Sequence, residues 1–284
     1  MAISISTNVQ SLIAQNNFSN TSNNISKSLE RLSSGKRINS AVDDPAGLAI
    51  STKIEVNLKS LARAKRNAMD GISALQVAEG SMSAITDTLI RMRELTIQAS
   101  NGTLSSQDRV FLNDETQQLI LEINRITEST KFNGVSLVSG AYSVSGLVLQ
   151  IGIEGNSTGT ITVTLPNIGT DSLGSISEKV VSQISLSSSA GQARSMLKYI
   201  DAAIDDIAVA RSSLGSQVSR LNVAIDQLTV NFNNLSAAKS RMLDTDIAEE
   251  TAKLTSNQIL SQAGISVIMQ ANQVPQMALA LIQG

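Results

Sequence analysis

The sequence contains no cysteine, no histidine and no tryptophan, and its aromatic residues are four Phe and two Tyr. Without histidine there is no Ser-His-Asp triad, no Cys-His pair and no H-E-x-x-H zinc site, and the commonest general base near neutral pH is missing. Without cysteine there are no disulfides and no thiolate metal ligands, and the count fits a reducing or an oxidising compartment equally. Charge of one sign is lacking too. The 22 basic and 24 acidic residues give a formal net charge of -2, so electrostatic attachment to phosphate backbones has little to act through and nucleic acid is not an expected partner. No run of about 18 apolar residues is present for a membrane span, so no membrane insertion is expected. The first residues, Met1-Ala2-Ile3-Ser4-Ile5-Ser6, have neither the basic nor the apolar region of a cleaved signal peptide. With only three Pro and 17 Gly in 284 residues, long uninterrupted elements are permitted almost everywhere. The core must be built from Leu, Ile, Val, Met and Ala, which suits long helices.

What is present is helical periodicity. The Ser-, Asn- and Gln-rich stretch up to Ser34 carries Val9, Leu12, Ile13, Ile25, Leu29 and Leu32 in a thin stripe that needs a partner surface. Ser33-Ser34-Gly35 ends it with a glycine suited to a left-handed cap, and Asp44-Pro45 opens the next helix with a capping carboxylate and a proline at the first helical position. From there Ile54, Leu61, Ala64, Ala68, Gly71, Leu75, Ala78, Met82, Ile85, Leu89, Met92, Thr96 and Ala99 alternate by threes and fours, a coiled-coil spacing. Asn101-Gly102 closes that helix. Ser105 and Asp108 resemble a capping box before an antiparallel helix with a seam at Leu112, Thr116, Leu119, Ile123 and Ile126. The strongest heptad runs from Leu197 to Leu235, interrupted only by Arg211. Its register shifts after Lys239, and a final stretch carries Leu254, Ile259, Met269, Met277 and Leu281 with few charges. Between the helical arms, alternation over 144–153 and 160–165 predicts a β-hairpin with the connection Glu154 to Gly159, inside a non-helical insert of about residues 133–185 that is expected to cap one end of a helical rod. The fold class is therefore mainly α: a long antiparallel helical hairpin or coiled-coil rod with a small β-hairpin insert.

Few residues carry catalytic or ligand-binding patterns. Ser33 with Lys36 and Ser195 with Lys198 match S-x-x-K, but in a Ser-rich chain without the companion motifs this is chance spacing. Asp244, Asp246, Glu249 and Glu250 lack the glycine and distal Glu of a calcium loop and read as a solvated helix face or as carboxylates near a helix start. No nucleotide-binding glycine motif occurs, so no catalytic residue, metal or cofactor is expected. Low-charge amphipathic helices at both ends imply that the ends pair with each other and with further copies, and a head-to-tail contact that does not close makes a helical filament. The subunit-packing residues expected from the stripes are Val9, Leu12, Leu29, Leu32, Leu254, Ile259, Met269, Met277 and Leu281.

These segments resemble the bacterial flagellins. Thr7-Asn8, Arg31-Leu32-Ser33-Ser34-Gly35, Arg37-Ile38-Asn39-Ser40-Ala41, Asp43-Asp44, Ala46-Gly47, Asn67-Ala68 with Asp70-Gly71-Ile72-Ser73, and Phe132-Asn133-Gly134 are similar to the family's N-terminal signature. Leu214-Gly215, Asn233-Asn234-Leu235, Ser240-Arg241, Asp244 with Asp246, Gln270-Ala271-Asn272-Gln273 and Pro275-Gln276 are similar to its C-terminal one. Pro45 stands where Ala is common and Ile90 where many members have Gln.

The resemblance implies a structural filament subunit used for motility, not an enzyme. It implies an inner terminal coiled-coil domain of 1–44 with 236–284 and a rod domain of 45–235. Export through the flagellar type III apparatus without a cleaved signal would be followed by assembly at the distal tip of an extracellular flagellum. Implied partners are further copies of the chain, an export chaperone on the C-terminal segment, cap and hook-junction proteins, and the hosts' Toll-like flagellin receptor. The receptor-contact positions that match by resemblance are Leu89, Arg91, Arg93, Glu94, Leu95, Gln98 and Glu115, with Arg91 and Leu95 expected on one helical face off the seam. Rival readings are a hook-filament junction protein, a coiled-coil signalling adaptor and a Ser-Lys hydrolase. Asn67-Ala68 with Asp70-Gly71-Ile72-Ser73, and the Pro275-Gln276 ending, favour the flagellins over the junction proteins.

Overall fold

The structure is a computed structural model that describes residues 7–174, 181–186 and 189–283, the side chains of 275, 276 and 278–283 excepted. Its elements are α1 (Val9–Ser34), α2 (Pro45–Ala99), α3 (Ser106–Ser129), β1 (Lys131–Phe132), β2 (Val135–Ser136), β3 (Leu147–Gln150), β4 (Thr160–Val163), α4 (Ala190–Leu243) and α5 (Ile247–Gln283). The class is mainly α with small β-hairpins. The chain forms two compact units, one of residues 1–58 with 233–284 and one of residues 59–232.

Local chemistry fixes the helix ends. Asn8 caps α1 by accepting the Ser11 N–H, and α1 stops where Gly35 takes a positive φ of 70° that a side chain would resist. Asp44 accepts the Gly47 N–H at 2.9 Å, with Pro45 as the first residue of α2. Ser105 and Asp108 form a reciprocal capping box at α3. Asp246 opens α5 by accepting the N–H groups of Ala248 and Glu249. Between Pro45 and Ala99 no proline interrupts α2.

In the unit of residues 59–232, every seam residue of α2 from Leu61 to Ala99 is buried. α4 lies antiparallel to it, with Lys65 bonded to Thr229, Glu79 paired with Arg211 and Arg93 paired with Asp201. The heptad of α4 splits into two rows. Ile200, Ile207, Leu214, Leu221 and Leu228 are buried, whereas Leu197, Ile204, Arg211, Val218 and Ile225 are half-buried. Arg211 therefore interrupts the edge row, where its guanidinium reaches Glu79 at 3.6 Å and stays in contact with water.

The insert does not cap one end of the helices. It runs along them, and Leu137, Val138, Val163, Leu165, Ile168, Leu173, Val181, Ile184 and Leu186 join the core of α2, α3 and α4. β3 pairs antiparallel with β4 in the register Leu147↔Val163 and Leu149↔Ile161. Its strands are shorter than the alternation predicted, and the connection runs from Ile151 to Gly159. The N–H groups of Ile151 and Gly152 both go to the Gly159 carbonyl, which ends the ladder and turns Ile151 into the core while Ile153 is exposed. Gly71 is the point of closest approach, because a Cβ there would overlap Leu149. A second hairpin, β1 with β2, turns through Asn133 at φ 49° and Gly134 at φ 81°.

Leu89→Ala should destabilise the chain by about 2–5 kcal/mol, since Leu89 is fully buried. Val209→Ala, on an exposed position of α4, should change stability by no more than about 0.5 kcal/mol. Urea unfolding followed by circular dichroism measures both, and equal effects would contradict the core placement.

Candidate interaction surfaces

In the unit of residues 1–58 with 233–284, α1 and α5 pair antiparallel; the fully buried positions of the pairing are small or polar, and Phe18, Ile25, Ile268 and Val274 are half-buried. Asn8 Nδ2 donates to the Ala271 carbonyl at 2.8 Å, Ser11 Oγ donates to Asn272 Oδ1 at 2.8 Å, and Phe18 lies against Gly264. Near the other end Arg31 faces Glu250 at 3.9 Å. The buried residues of this seam are Ser11, Ala14, Ser28, Glu250 and Ala271. Small side chains at the fully buried positions let the helices approach closely, and many of the large apolar ones are left outside. Val9, Leu12, Leu29, Ile259, Met269 and Met277 are exposed, with relative accessibilities of 51–62%, and Leu32 and Leu254 are half-buried. The side chain of Leu281 lies outside the described residues. Ile13, Leu260, Ile265 and Val267 add to the exposed apolar set. Two shallow grooves follow from this, one lined by Ile13, Ala14, Val267 and Val274, the other by Ala252, Thr255, Ile259 and Leu260.

The segment 35–44 straps α1 to the α4–α5 junction. The Arg37 N–H donates to the Leu243 carbonyl at 2.6 Å, its guanidinium donates to the Met242 carbonyl at 2.9 Å, and the Thr245 N–H donates to the Gly35 carbonyl at 3.1 Å. Asp43 accepts from the N–H groups of Asn39 and Ser40 and from the Ser40 hydroxyl. The Ser40 N–H first, and then that of Asn39, hold its carboxyl below the ordinary aspartate value. Ile38 is buried against Gly47 at the foot of α2.

In the other unit, Arg91 Nε and Nη2 donate to Glu115 Oε1 at 3.0 and 2.7 Å, and Nη1 donates to Glu94 Oε2 at 3.1 Å, an exposed network joining α2 to α3. The Glu115 hydrogen bonds, then those of Glu94, hold the Arg91 guanidinium in its charged form. Gln98 continues this exposed stripe one turn on. The remaining matched positions lie elsewhere. Arg93 turns to Asp201 of α4, Leu89 is in the core, and Leu95, expected beside Arg91 off the seam, is 1% exposed. The reason is that α2 is covered by α3 on one side and α4 on the other, so its buried arc is wider than one coiled-coil stripe.

The acidic cluster is accounted for by the helix start. Asp246 caps α5, Asp244 accepts from the Ser240 hydroxyl, Glu249 pairs with Lys253 and Glu250 faces Arg31. No group of metal-ligating side chains occurs among the described residues. Ser195 donates its hydroxyl to the Gln192 carbonyl and Lys198 lies over the Tyr199 ring, so this S-x-x-K pair does not come together. No helix among the described residues is long and apolar enough to cross a membrane.

Comparison with known proteins points the same way. The bacterial flagellin N-terminal helical region matches residues 5–143 and the bacterial flagellin C-terminal helical region matches residues 197–282. Flagellin of Bacillus subtilis (strain 168) is 38% identical over 305 residues, covering 98% of this chain and 99% of the relative. The flagellar filament 30.7 kDa core protein of Treponema maltophilum is 35% identical over 282 residues with the same coverage. A structure assigned to a flagellar hook-associated protein of Vibrio parahaemolyticus aligns with a TM-score of 0.62 over 71% of this chain and 100% of its own, and at 17% identity it shows the fold alone.

The carboxylates of these surfaces make stability depend on acid. Folding lowers the pKa of Asp43 below 3.8, and likewise of Asp108 through the Ser105 hydroxyl and of Glu122, below 4.5, through Arg125. Each contribution is present above the ordinary carboxylate range and lost as pH falls through the folded value. Asp43→Asn should lower the urea midpoint at neutral pH and flatten its decline between the two values. A variant whose acid limb matches the unaltered chain would remove Asp43 from this role.

Proposed function

We propose that this chain, which belongs to the bacterial flagellin family, polymerises through the large apolar side chains that the α1–α5 pairing leaves uncovered. It is a structural subunit of the bacterial flagellar filament, serves motility and is not an enzyme. The observation that carries the assembly reading is the inverted distribution on α1 and α5, with Ser11, Ala14 and Ala271 inside and Leu12, Ile259 and Met269 outside. A monomer rarely leaves this much apolar surface uncovered, and a repeated copy of the chain covers it. The terminal segments 1–44 and 236–284 then form the inner part of the filament and 45–235 the rod.

The finer steps belong to the same reading. Export runs through the flagellar type III apparatus to assembly at the distal tip, and a chain without disulfides meets the need to travel unfolded. A chaperone covers the C-terminal segment before export, and cap and hook-junction proteins meet the same terminal helices afterwards. The Toll-like receptor of hosts reads the exposed stripe of Arg91, Glu94, Gln98 and Glu115, with Arg93 beside it, while Leu89 and Leu95 hold α2 in place from the core. Ile90, at 46% exposure, adds an apolar side chain next to that stripe.

Two measurements test this. Leu12→Asp combined with Ile259→Asp should leave the helical circular dichroism of the monomer unchanged and abolish the filaments seen by electron microscopy after addition of ammonium sulfate, a salt that strengthens apolar burial. Undiminished filaments would sink the assembly reading. Arg91→Ala and Glu115→Ala should each weaken binding to the receptor ectodomain by several-fold in titration, with no change in monomer stability beyond that of an exposed ion pair. Unchanged affinity in both would take the stripe out of receptor recognition.

A further inference from the structure

The chain has two Asn-Gly steps, Asn101-Gly102 and Asn133-Gly134, with the same following residue and opposite structural settings. We propose that Asn101 is a site of spontaneous deamidation in the folded protein and that Asn133 is protected. The reaction needs the main-chain nitrogen of the following residue to reach the side-chain amide carbon. The Gly102 nitrogen, losing its proton, bonds to Asn101 Cγ; the Cγ–Nδ2 bond breaks, and the proton and amide leave as ammonia. Water then opens the five-membered imide at Cγ to give aspartate, or at the main-chain carbonyl to give isoaspartate. Water is the only co-reactant.

The loop after α2 favours each part of this. Asn101 Oδ1 accepts the Thr103 N–H at 3.2 Å. That bond folds the side chain back over the peptide carrying the Gly102 nitrogen and draws electron density from Cγ toward oxygen, the direction in which negative charge grows during attack. Asn101, Gly102 and Thr103 are all exposed, and one long main-chain bond spans Gly102, from the Leu104 N–H to the Asn101 carbonyl at 3.4 Å, with no strand pair on either side, so little is broken when the backbone turns. Asn133 is held instead. It occupies the left-handed region at φ 49° in a two-residue turn, clamped by the Phe132↔Val135 and Lys131↔Ser136 pairs and by the Leu137 N–H on the Thr130 carbonyl. Closing an imide there rotates the backbone out of the turn and breaks the hairpin.

The product has a consequence for α2. The new carboxylate stands just past the helix C-terminus, where the carbonyl ends already carry partial negative charge. Arg194 of α4 donates to the Ser100 carbonyl at 3.4 Å, so a cation is in place beside it. Conversion at Asn101 therefore changes the charge at the α2–α3 corner while keeping a counter-ion within reach.

The test is incubation of the purified full-length chain in mildly alkaline buffer, native and in urea, followed by trypsin and mass spectrometry. Cleavage after Arg93, Arg109, Lys131 and Lys179 puts the two steps in separate peptides, 94–109 and 132–179, and Asn101 is the sole asparagine of the first. The native protein should gain the acid mass several-fold faster in 94–109 than at Asn133, and the two rates should converge in urea, where only the shared Asn-Gly sequence acts. Asn101→Gln should remove the gain from 94–109. Equal native conversion at both sites, or a lead for 94–109 that persists unchanged in urea, overturns the proposal.

Discussion

The pairing of α1 with α5 fully buries mainly small residues and leaves many of its large apolar ones open to the outside. Ser11, Ala14, Ser28 and Ala271 are buried while Val9, Leu12, Leu29, Ile259 and Met269 are not. This departs from the usual amphipathic arrangement, in which the widest side chains are the ones fully buried against the nearest helix. Burying a Leu, Ile, Val or Met contributes about 1.5–3 kcal/mol, so covering the exposed half of these five side chains is worth about 4–8 kcal/mol, comparable to the whole stability of a small domain. Part of that sum is lost to ordering on association. The remainder is what a filament subunit needs and what a monomeric bundle would have used internally.

The other unit follows the opposite rule. Leu75, Met82, Ile85, Leu89 and Met92 of α2 are buried completely, and the insert supplies Leu165, Ile168 and Leu173 to the same core. Its surface contacts are ion pairs such as Arg91 with Glu115 and Arg93 with Asp201, all in water and each worth little alone. The buried rows of α2 and α4, with side chains of unequal size, hold the register, and Arg93, Glu79 and Lys65 meet their partners on α4 in that same register.

Sequence periodicity made much of this legible. The α2 seam from Leu61 to Ala99, the Gly35 cap, the Asp44-Pro45 start and the Ser105 capping box could all be placed from spacing and side-chain chemistry, because each is a local pattern that few other folds satisfy. What periodicity missed was non-local. A three-four alternation identifies a stripe but not its width, so Leu95 looked free until α3 and α4 were both laid on α2. Alternation likewise located β3 and β4 but not the Gly159 carbonyl that takes two N–H groups and ends the ladder early. The Asn133-Gly134 hairpin rests on a two-residue turn between strands too short for alternation to mark.

The strap at 35–44 shows how a signature reduces to chemistry. Arg37 is the residue whose backbone and side chain both reach the last carbonyls of α4, groups that a helix end leaves unsatisfied. Gly35 is needed because only a left-handed residue turns the chain from α1 toward those carbonyls, and Asp43 because its carboxylate closes the turn on Asn39 and Ser40. Asp44 then opens α2, so consecutive carboxylates perform separate tasks, one for the turn and one for the helix. A lysine at 37 would keep the charge and the N–H to Leu243 but lose the planar fork that reaches Met242 at an angle. The strap therefore depends on residue identity at every step, whereas the seam beside it combines small buried residues such as Ala14 and Ala271 with a few specific pairs, Asn8 with Ala271 and Ser11 with Asn272.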